Sequence, residues 1–199
     1  SNLKVEPELL QHLHLLPTNG TRYYRFEPQA HSWQQVYSED LASDDRQRII
    51  EVLTEGAKEL GLWEEDPYGE IIEDRASQIT YSALGQQEPV DAKLAWDPDR
   101  RKKEALRAWA ATRLPEFEVR IGGKTSVDVT AKGIDKAYGM RKLQQLTGID
   151  TKDMLFVGDE LQEGGNDYPV KAAGIDTLAV KDEQDTASLI RSELAALGG

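Results

Sequence analysis

The chain has 199 residues, 39% hydrophobic and 30% charged, a composition that suits one globular domain or two small ones. Lys and Arg total 24 against 36 Asp and Glu, a formal charge of −12, which argues against a general nucleic-acid surface because a polyanion is repelled overall. There is no cysteine, so disulfides, thiolate nucleophiles and Cys-ligated zinc are excluded, and there is no apolar run of the roughly 18 residues that would span a membrane.

The first residues carry no basic and apolar leader, and the expected location is the cytoplasm. Leu13, Leu15 and Leu16 precede Pro17-Thr18-Asn19-Gly20-Thr21, and Tyr23-Tyr24-Arg25-Phe26 follows, which reads as strand, Asn-Gly turn and strand. His31 to Val36 suits a further extended piece. Ser43 is the expected N-cap of a helix, with Asp44 and Asp45 in its first turn, and Ile49, Leu53, Ala57 and Leu60 form its apolar stripe until Gly61. Residues 70–84 favour two short strands or one bent strand. Pro98 marks the opening of a second helix, with Leu106, Trp109, Ala110 and Leu114 in one stripe until Pro115 stops it. Phe117, Val119 and Ile121 then alternate with charged residues, Gly122-Gly123 turns the chain, and Ser126 and Asp128 alternate with Val127 and Val129. This describes a small α+β layer with helices on one face of its sheet.

The pattern changes after about residue 130. A helix is expected from Asp135 to Thr147, and the uniformly apolar Met154-Leu155-Phe156-Val157 suits a parallel strand covered on both sides. A helix near Tyr168–Ala173, a strand Thr177–Val180, and a last helix burying Ile190, Leu194 and Leu197 complete an αβαβα order, the unit of a doubly wound sheet. Two parallel strands bury little alone, so a preceding βαβ portion is expected to be missing or separately supplied.

Chemistry concentrates at Val157-Gly158-Asp159-Glu160 and Gly164-Gly165-Asn166-Asp167. Asp159 follows the apolar strand at the carboxyl edge where open α/β sheets place ligands, and the glycine pair lets the loop bring Asn166 and Asp167 back toward it. Hard oxygen groups in such a cluster suit Mg²⁺, although Asp, Asn and Gly also populate ordinary turns. Lys136 opens a helix, where the helix dipole disfavours a cation by about 0.3–1 kcal/mol, so a carboxylate or phosphate is expected in front of it. Ser126 and Asp128 share one face of their strand and suit sugar hydroxyls or phosphate, while a plain polar sheet face explains them too. Arg75, Arg120 and Lys124 can neutralise a phosphate, or simply be solvated. The histidines at 12, 14 and 31 lack metal-ligand spacing, and the tryptophans at 33, 63, 96 and 109 read as packing groups. Neither GxxxxGK[ST] nor GxGxxG is present.

Residues 122–170, with Ser-Val-Asp-Val, Gly-Ile-Asp-Lys, Gly-Asp and Gly-Gly-Asn-Asp, resemble the Cof-type branch of the haloacid dehalogenase (HAD) superfamily. Within it they resemble eukaryotic-type phosphomannomutases above all, with sucrose-phosphate phosphatases as cousins, and the likeness runs weakly back to Pro17–Thr21. The resemblance implies an α/β fold: an incomplete doubly wound, Rossmann-like HAD core with an inserted α+β cap. Residues 1–36 would be a partial core segment, 37–128 the cap, and 129–199 the C-terminal core segment. It implies Lys136 as the core lysine that steadies a nucleophilic Asp and the transferring phosphoryl group. Asp159, Asn166 and Asp167 would belong to the magnesium motif, and Ser126, Asp128, Arg75 and Lys93 to the substrate side. The implied partner is a phosphorylated sugar, with no nucleic acid and no membrane.

Two departures qualify that likeness. The DxDx[TV] motif has no counterpart, since the early acids are Glu6, Glu8 and Glu27 and none follows an apolar strand in that pattern. The expectation is therefore an inactive fragment of an enzyme that works through an aspartyl-phosphate, with a separate N-terminal fragment as a possible partner. Secondly, Gln86 and Lys93 stand where the resemblance places two phosphate-holding arginines, which leaves mutase and phosphatase both open. A degenerate member that binds a sugar phosphate or a protein is the rival class.

Overall fold

The computed structural model describes residues 5–197. They fall into two compact units, divided between Ile134 and Asp135.

The first unit opens with a short helix α1 (Pro7–Leu10), a two-residue strand β1 (His14–Leu15), a helical turn α2 (Pro17–Gly20), and strands β2 (Arg22–Glu27) and β3 (Ser32–Ser38). The strands form an antiparallel sheet in the order β1-β2-β3. The expected Asn-Gly turn is present, with Thr18 and Asn19 at φ of 50° and 58°. Hydrogen bonds offset that strained backbone. The Thr21 hydroxyl donates to the Thr18 carbonyl at 2.8 Å and lies 2.8 Å from the Ser77 hydroxyl, and Tyr37 donates to the Gly20 carbonyl at 2.7 Å.

Helix α3 (Ser43–Glu59) has Ala42 at its cap position, so Ser43 is its first residue rather than the expected N-cap. Asp44 and Asp45 still complement the dipole there. Strands β4 (Ile72–Asp74) and β5 (Gln78–Ser82) resolve residues 70–84 into two short strands. Helix α4 (Val90–Trp96) follows, too short to show a period in the sequence. Helix α5 (Arg101–Arg113) starts three residues beyond Pro98, because the Asp97 carboxylate accepts the amides of Lys102 (3.1 Å) and Lys103 (3.0 Å) at its first turn. Strands β6 (Phe117–Ile121) and β7 (Ser126–Ala131) complete a four-stranded antiparallel sheet in the order β4-β5-β7-β6.

Alternation splits that sheet cleanly. Ile79, Tyr81, Val127, Val129 and Val119 point one way, into a core with Ile49, Leu53 and Ala57 of α3 and Leu106 and Ala110 of α5. Each fully buried Leu or Ile contributes about 1.5–3 kcal/mol. Gly56 sets the helix approach, since a Cβ there would lie 2.6 Å from Trp109 Cε3. The opposite face is polar.

The second unit contains α6 (Lys136–Thr147), a 3₁₀ turn (Thr151–Asp153), β8 (Leu155–Gly158), α7 (Tyr168–Ala172), β9 (Asp176–Ala179) and α8 (Glu183–Leu197). Strands β8 and β9 are parallel, the expected αβαβα order. Two expectations of burial fail. Leu155 on β8 is 59% exposed and Ile190 on α8 is 53% exposed, so neither the strand nor the last helix is covered as the apolar pattern suggests. Among the described residues this sheet has two strands, and a two-stranded layer has too little width to cover both elements. The side chains of Leu194 and Leu197 lie outside the described residues.

Candidate functional site

In the second unit, Asp135 caps α6 by accepting the Tyr138 amide at 2.8 Å, which makes Lys136 the first helical residue. The expected carboxylate is in front of it: Lys136 Nζ donates to Asp167 Oδ1. Asp167 is wholly buried, while 32% of the Lys136 side chain is exposed. The second Asp167 oxygen accepts the Glu160 amide at 3.0 Å, and the Asp167 amide donates to the Glu160 carbonyl at 3.2 Å. The loop from 160 to 167 is thereby closed on itself.

Two glycines make that closure possible. A Cβ on Gly158 would come within 2.7 Å of Asp167 Cγ and of Phe156 Cε1. One on Gly165 would sit 2.7 Å from the Glu160 carbonyl carbon. Lys136, Gly158, Asp159 and Asp167 line one cleft of about 280 Å³, and Asp182, Glu183 and Thr186 line it as well. Asp182 escapes the sequence reading. Its carboxylate caps α8, accepting the amides of Gln184 (3.0 Å) and Asp185 (2.8 Å), and a lone Asp before a helix looks like any N-cap in sequence.

Among the described residues no three His, Cys, Asp or Glu side chains form a ready metal cluster. The donor set nevertheless fits a hard cation. Asp159 and Asp182 offer carboxylates to the same cleft, and Asn166 Oδ1 is buried with no hydrogen-bond partner. An orphaned oxygen of this kind costs about 1–3 kcal/mol unless a donor or cation meets it. Mg²⁺ keeps several waters and needs few protein ligands, which this sparse set allows.

In the first unit, the polar sheet face carries Ser126 and Asp128 together, as alternation requires. Cross-strand pairing lines up Glu73, Thr80, Asp128 and Arg120 in one row across β4, β5, β7 and β6. The neighbouring rows are Gln78, Thr130 and Glu118 on one side, and Ser82 with Ser126 on the other. Thr80 Oγ1 donates to Asp128 Oδ1 at 2.8 Å. Burial pushes the Asp128 carboxyl above the usual carboxylate range, against the opposing pull of the Thr80 hydroxyl and the Arg75 charge. Gly122 gives this carboxylate room, since a Cβ there would lie 2.5 Å from Asp128 Oδ2.

Arg75 is paired with Glu73 at 2.7 Å, and Arg120 with Glu118 at 3.6 Å. Lys93 Nζ donates to the Gln86 carbonyl at 2.8 Å, and Gln86 Nε2 donates to Ser82 Oγ at 2.9 Å. Arg75, Arg120 and Lys93 are thus each engaged by a neighbouring residue. His14 has a structural contact, its Nδ1 lying 2.8 Å from the Tyr23 hydroxyl, and burial lowers its pKa, with Arg25 adding to that. Trp63, Trp96 and Trp109 pack against the core, and Trp33 meets Phe26 edge-on.

The family model described as eukaryotic phosphomannomutase matches residues 4–195. A phosphomannomutase of Spinacia oleracea is 32% identical over 110 residues, covering 53% of this chain and 42% of that protein. The chain spans about half the length of the curated relatives it matches. Among solved structures, an N-terminally truncated IMP-nucleotidase of Plasmodium falciparum superposes with a TM-score of 0.62 at 18% identity, over 92% of this chain and 50% of that one. A haloacid dehalogenase-like hydrolase from Bacteroides thetaiotaomicron superposes with a TM-score of 0.50 at 14% identity, over 90% of this chain and 76% of that one. At those identities the likeness concerns the fold, which is the mixed α/β HAD fold of a Rossmann-like core with a cap.

Proposed function

The chain belongs to the eukaryotic phosphomannomutase family, and we propose that it carries the lysine, the metal-holding loop and the sugar-recognising sheet of a phosphoryl-transfer enzyme acting on a sugar phosphate. The observation that carries this reading is the Lys136–Asp167 pair at the rim of a cleft that Asp159 also lines.

Lys136 stands at the start of α6, partly open to solvent, where it can offset charge on the equatorial oxygens of a phosphoryl group. Asp167 fixes the direction of that ammonium, and the Glu160 amide fixes Asp167. Asp159, Asn166 and Asp182 would hold Mg²⁺, which supplies further charge neutralisation when bound. In the first unit, Asp128 and Ser126 offer an acceptor and a hydroxyl to sugar hydroxyls, and Arg75 and Lys93 flank them. The assignment of residues 37–128 to the cap belongs to this proposal.

The attacking group of the intact enzyme is an aspartate ending an apolar strand, and no such strand-end Asp-x-Asp occurs in these residues. The chain alone is therefore inactive. Incubation of the purified chain with hexose 1-phosphates and Mg²⁺ should release no phosphate above a metal-only blank. A separate segment bearing strand-end Asp-x-Asp should restore release, and this restoration should be lost with Lys136→Ala. Turnover by the chain alone, or restored turnover that ignores Lys136→Ala, would overturn the reading.

A further inference from the structure

Two strained turns meet inside the first unit. Between β4 and β5 the chain turns through Arg75-Ala76-Ser77, and Ala76 sits at φ of 62°, a left-handed backbone for a residue with a Cβ. The Ser77 amide donates to the Arg75 carbonyl at 2.8 Å, which makes this the strained form of the γ-turn. The other turn is Thr18-Asn19, left-handed at both residues. Such backbone persists only where its surroundings over-determine it.

Three hydroxyls join the two turns. Thr21 Oγ1 lies 2.8 Å from Ser77 Oγ, Ser77 Oγ lies 3.0 Å from Thr18 Oγ1, and Thr18 Oγ1 lies 2.7 Å from Thr21 Oγ1. With one proton each, they can close a ring in which every hydroxyl both donates and accepts. Thr21 and Ser77 are each 2% exposed, so little water can replace a lost member. Two further contacts hold the Ala76 turn: the Leu41 amide donates to the Ala76 carbonyl at 3.0 Å, and Arg46 pairs with Asp74 at 2.7 Å.

What this clamped turn presents is Arg75. Its amide donates to the Gln78 carbonyl at 2.9 Å and its carbonyl takes the Ser77 amide, so the turn fixes the backbone on both sides of its Cα. Its guanidinium pairs with Glu73, and its charge reaches the Asp128 carboxyl. Thr21 lies 56 positions before Ser77 and belongs to a different sheet, so only folding brings it to this turn.

We infer that Thr21 and Ser77 are positioning residues, whose buried hydroxyls hold the turn that aims Arg75 at a phosphorylated sugar. This rests on the phosphoryl-transfer reading above and adds to it two residues that act through Arg75 without touching the ligand.

The test follows the Arg75 Nε–H NMR signal of the ¹⁵N-labelled full chain, assigned with Arg75→Lys, during titration with glucose 1-phosphate in magnesium buffer. The Gly158–Asp167 amides are the second probe, and both should respond in the wild type. Thr21→Val keeps the shape and removes the hydroxyl, and should weaken the affinity read at Arg75 by about threefold or more, the scale of one hydrogen bond. Ser77→Ala removes a second member of the ring and should lose as much. Thr21→Ser keeps the hydroxyl and should bind like the wild type. The response of the Gly158–Asp167 amides to Mg²⁺ alone should be the same in all three variants, because that loop lies in the other unit. Smaller losses in both Thr21→Val and Ser77→Ala overturn the inference. So does a Thr21→Ser that loses as much as Thr21→Val, or a wild type whose Arg75 signal ignores the sugar phosphate while the loop responds. Those results leave the phosphoryl-transfer reading standing. Silence of the wild type at both probes overturns that reading itself.

Discussion

Lys136 on the first turn of α6 is ion-paired with Asp167, whose carboxylate is wholly shut off from solvent although the lysine is not. The two residues solve each other's problem. A cation at a helix N-terminus is unfavourable without an anion in front of it, and a buried carboxylate is costly without a partner.

Removing the lysine should therefore hurt more than its exposure suggests. Lys136→Met leaves the buried Asp167 carboxyl without its ion-pair partner, and should cost about 3–5 kcal/mol in urea unfolding of the full chain. Adding Asp167→Asn should recover part of that loss, because the Glu160 amide can still donate to the Asn oxygen. If the two single variants and the double variant are strictly additive, the pair does not stabilise the fold.

Gly158 is a second control on the same loop. Gly158→Ala drives a methyl toward Asp167 and Phe156, and should destabilise by about 1–3 kcal/mol. It should also weaken Mg²⁺ binding about tenfold by isothermal titration, since Asp159 and Asn166 follow from the same backbone. Wild-type Mg²⁺ affinity in this variant would detach the loop's shape from metal binding.

Asp128 gives a pH signature of defined sign. Burial raises its folded pKa above the unfolded value, so the native state binds the extra proton and stability from this group is full at low pH and lost as pH rises through the folded pKa. Asp128→Asn, which keeps an acceptor for Thr80, should be the more stable protein at neutral pH. Its advantage should shrink as pH falls through the raised carboxyl pKa. Urea midpoints of both proteins at several pH values measure this, and a constant difference would mean that folding does not shift the Asp128 carboxyl.

At Gly56 two effects of opposite sign compete. Helix propensity favours Ala over Gly by about 0.8–1.0 kcal/mol in a helix interior. Against this, the new methyl would sit 2.6 Å from Trp109 Cε3 and 2.9 Å from Leu106 Cδ1, and overpacking typically costs about 1–3 kcal/mol. Sterics should win, and thermal unfolding of Gly56→Ala should show a lower Tm than wild type. An equal or higher Tm would show that α3 and α5 can separate freely.

Alternation and punctuation carried most of the fold. Ser126-Val127-Asp128-Val129 predicts one polar and one apolar face because strand side chains alternate, and the paired rows of β4, β5, β7 and β6 follow that rule. Glycines next to Asp159 and Asn166 predicted a loop that folds back, because only residues without a Cβ allow that approach. Helix α4 stayed illegible because seven residues are too few for a period, and the start of α5 was misplaced because Asp97, not Pro98, satisfies its first amides. Apolarity also misled at Leu155 and Ile190: it reports what a side chain prefers, and coverage depends on what lies beside it.

By itself the sequence determined which side chains can do chemistry here, because residue type fixes charge, hardness and hydrogen-bonding capacity: Lys136, Asp159, Asn166, Asp167, Ser126 and Asp128. Tertiary structure alone decided which of them are joined and what each is joined to. Lys136 meets Asp167 across 31 residues of sequence, Asp182 enters the same cleft, and Arg75 and Arg120 find Glu73 and Glu118 beside them. The physical reason is range: charge pairing acts over a few ångströms, and only folding sets distances on that scale.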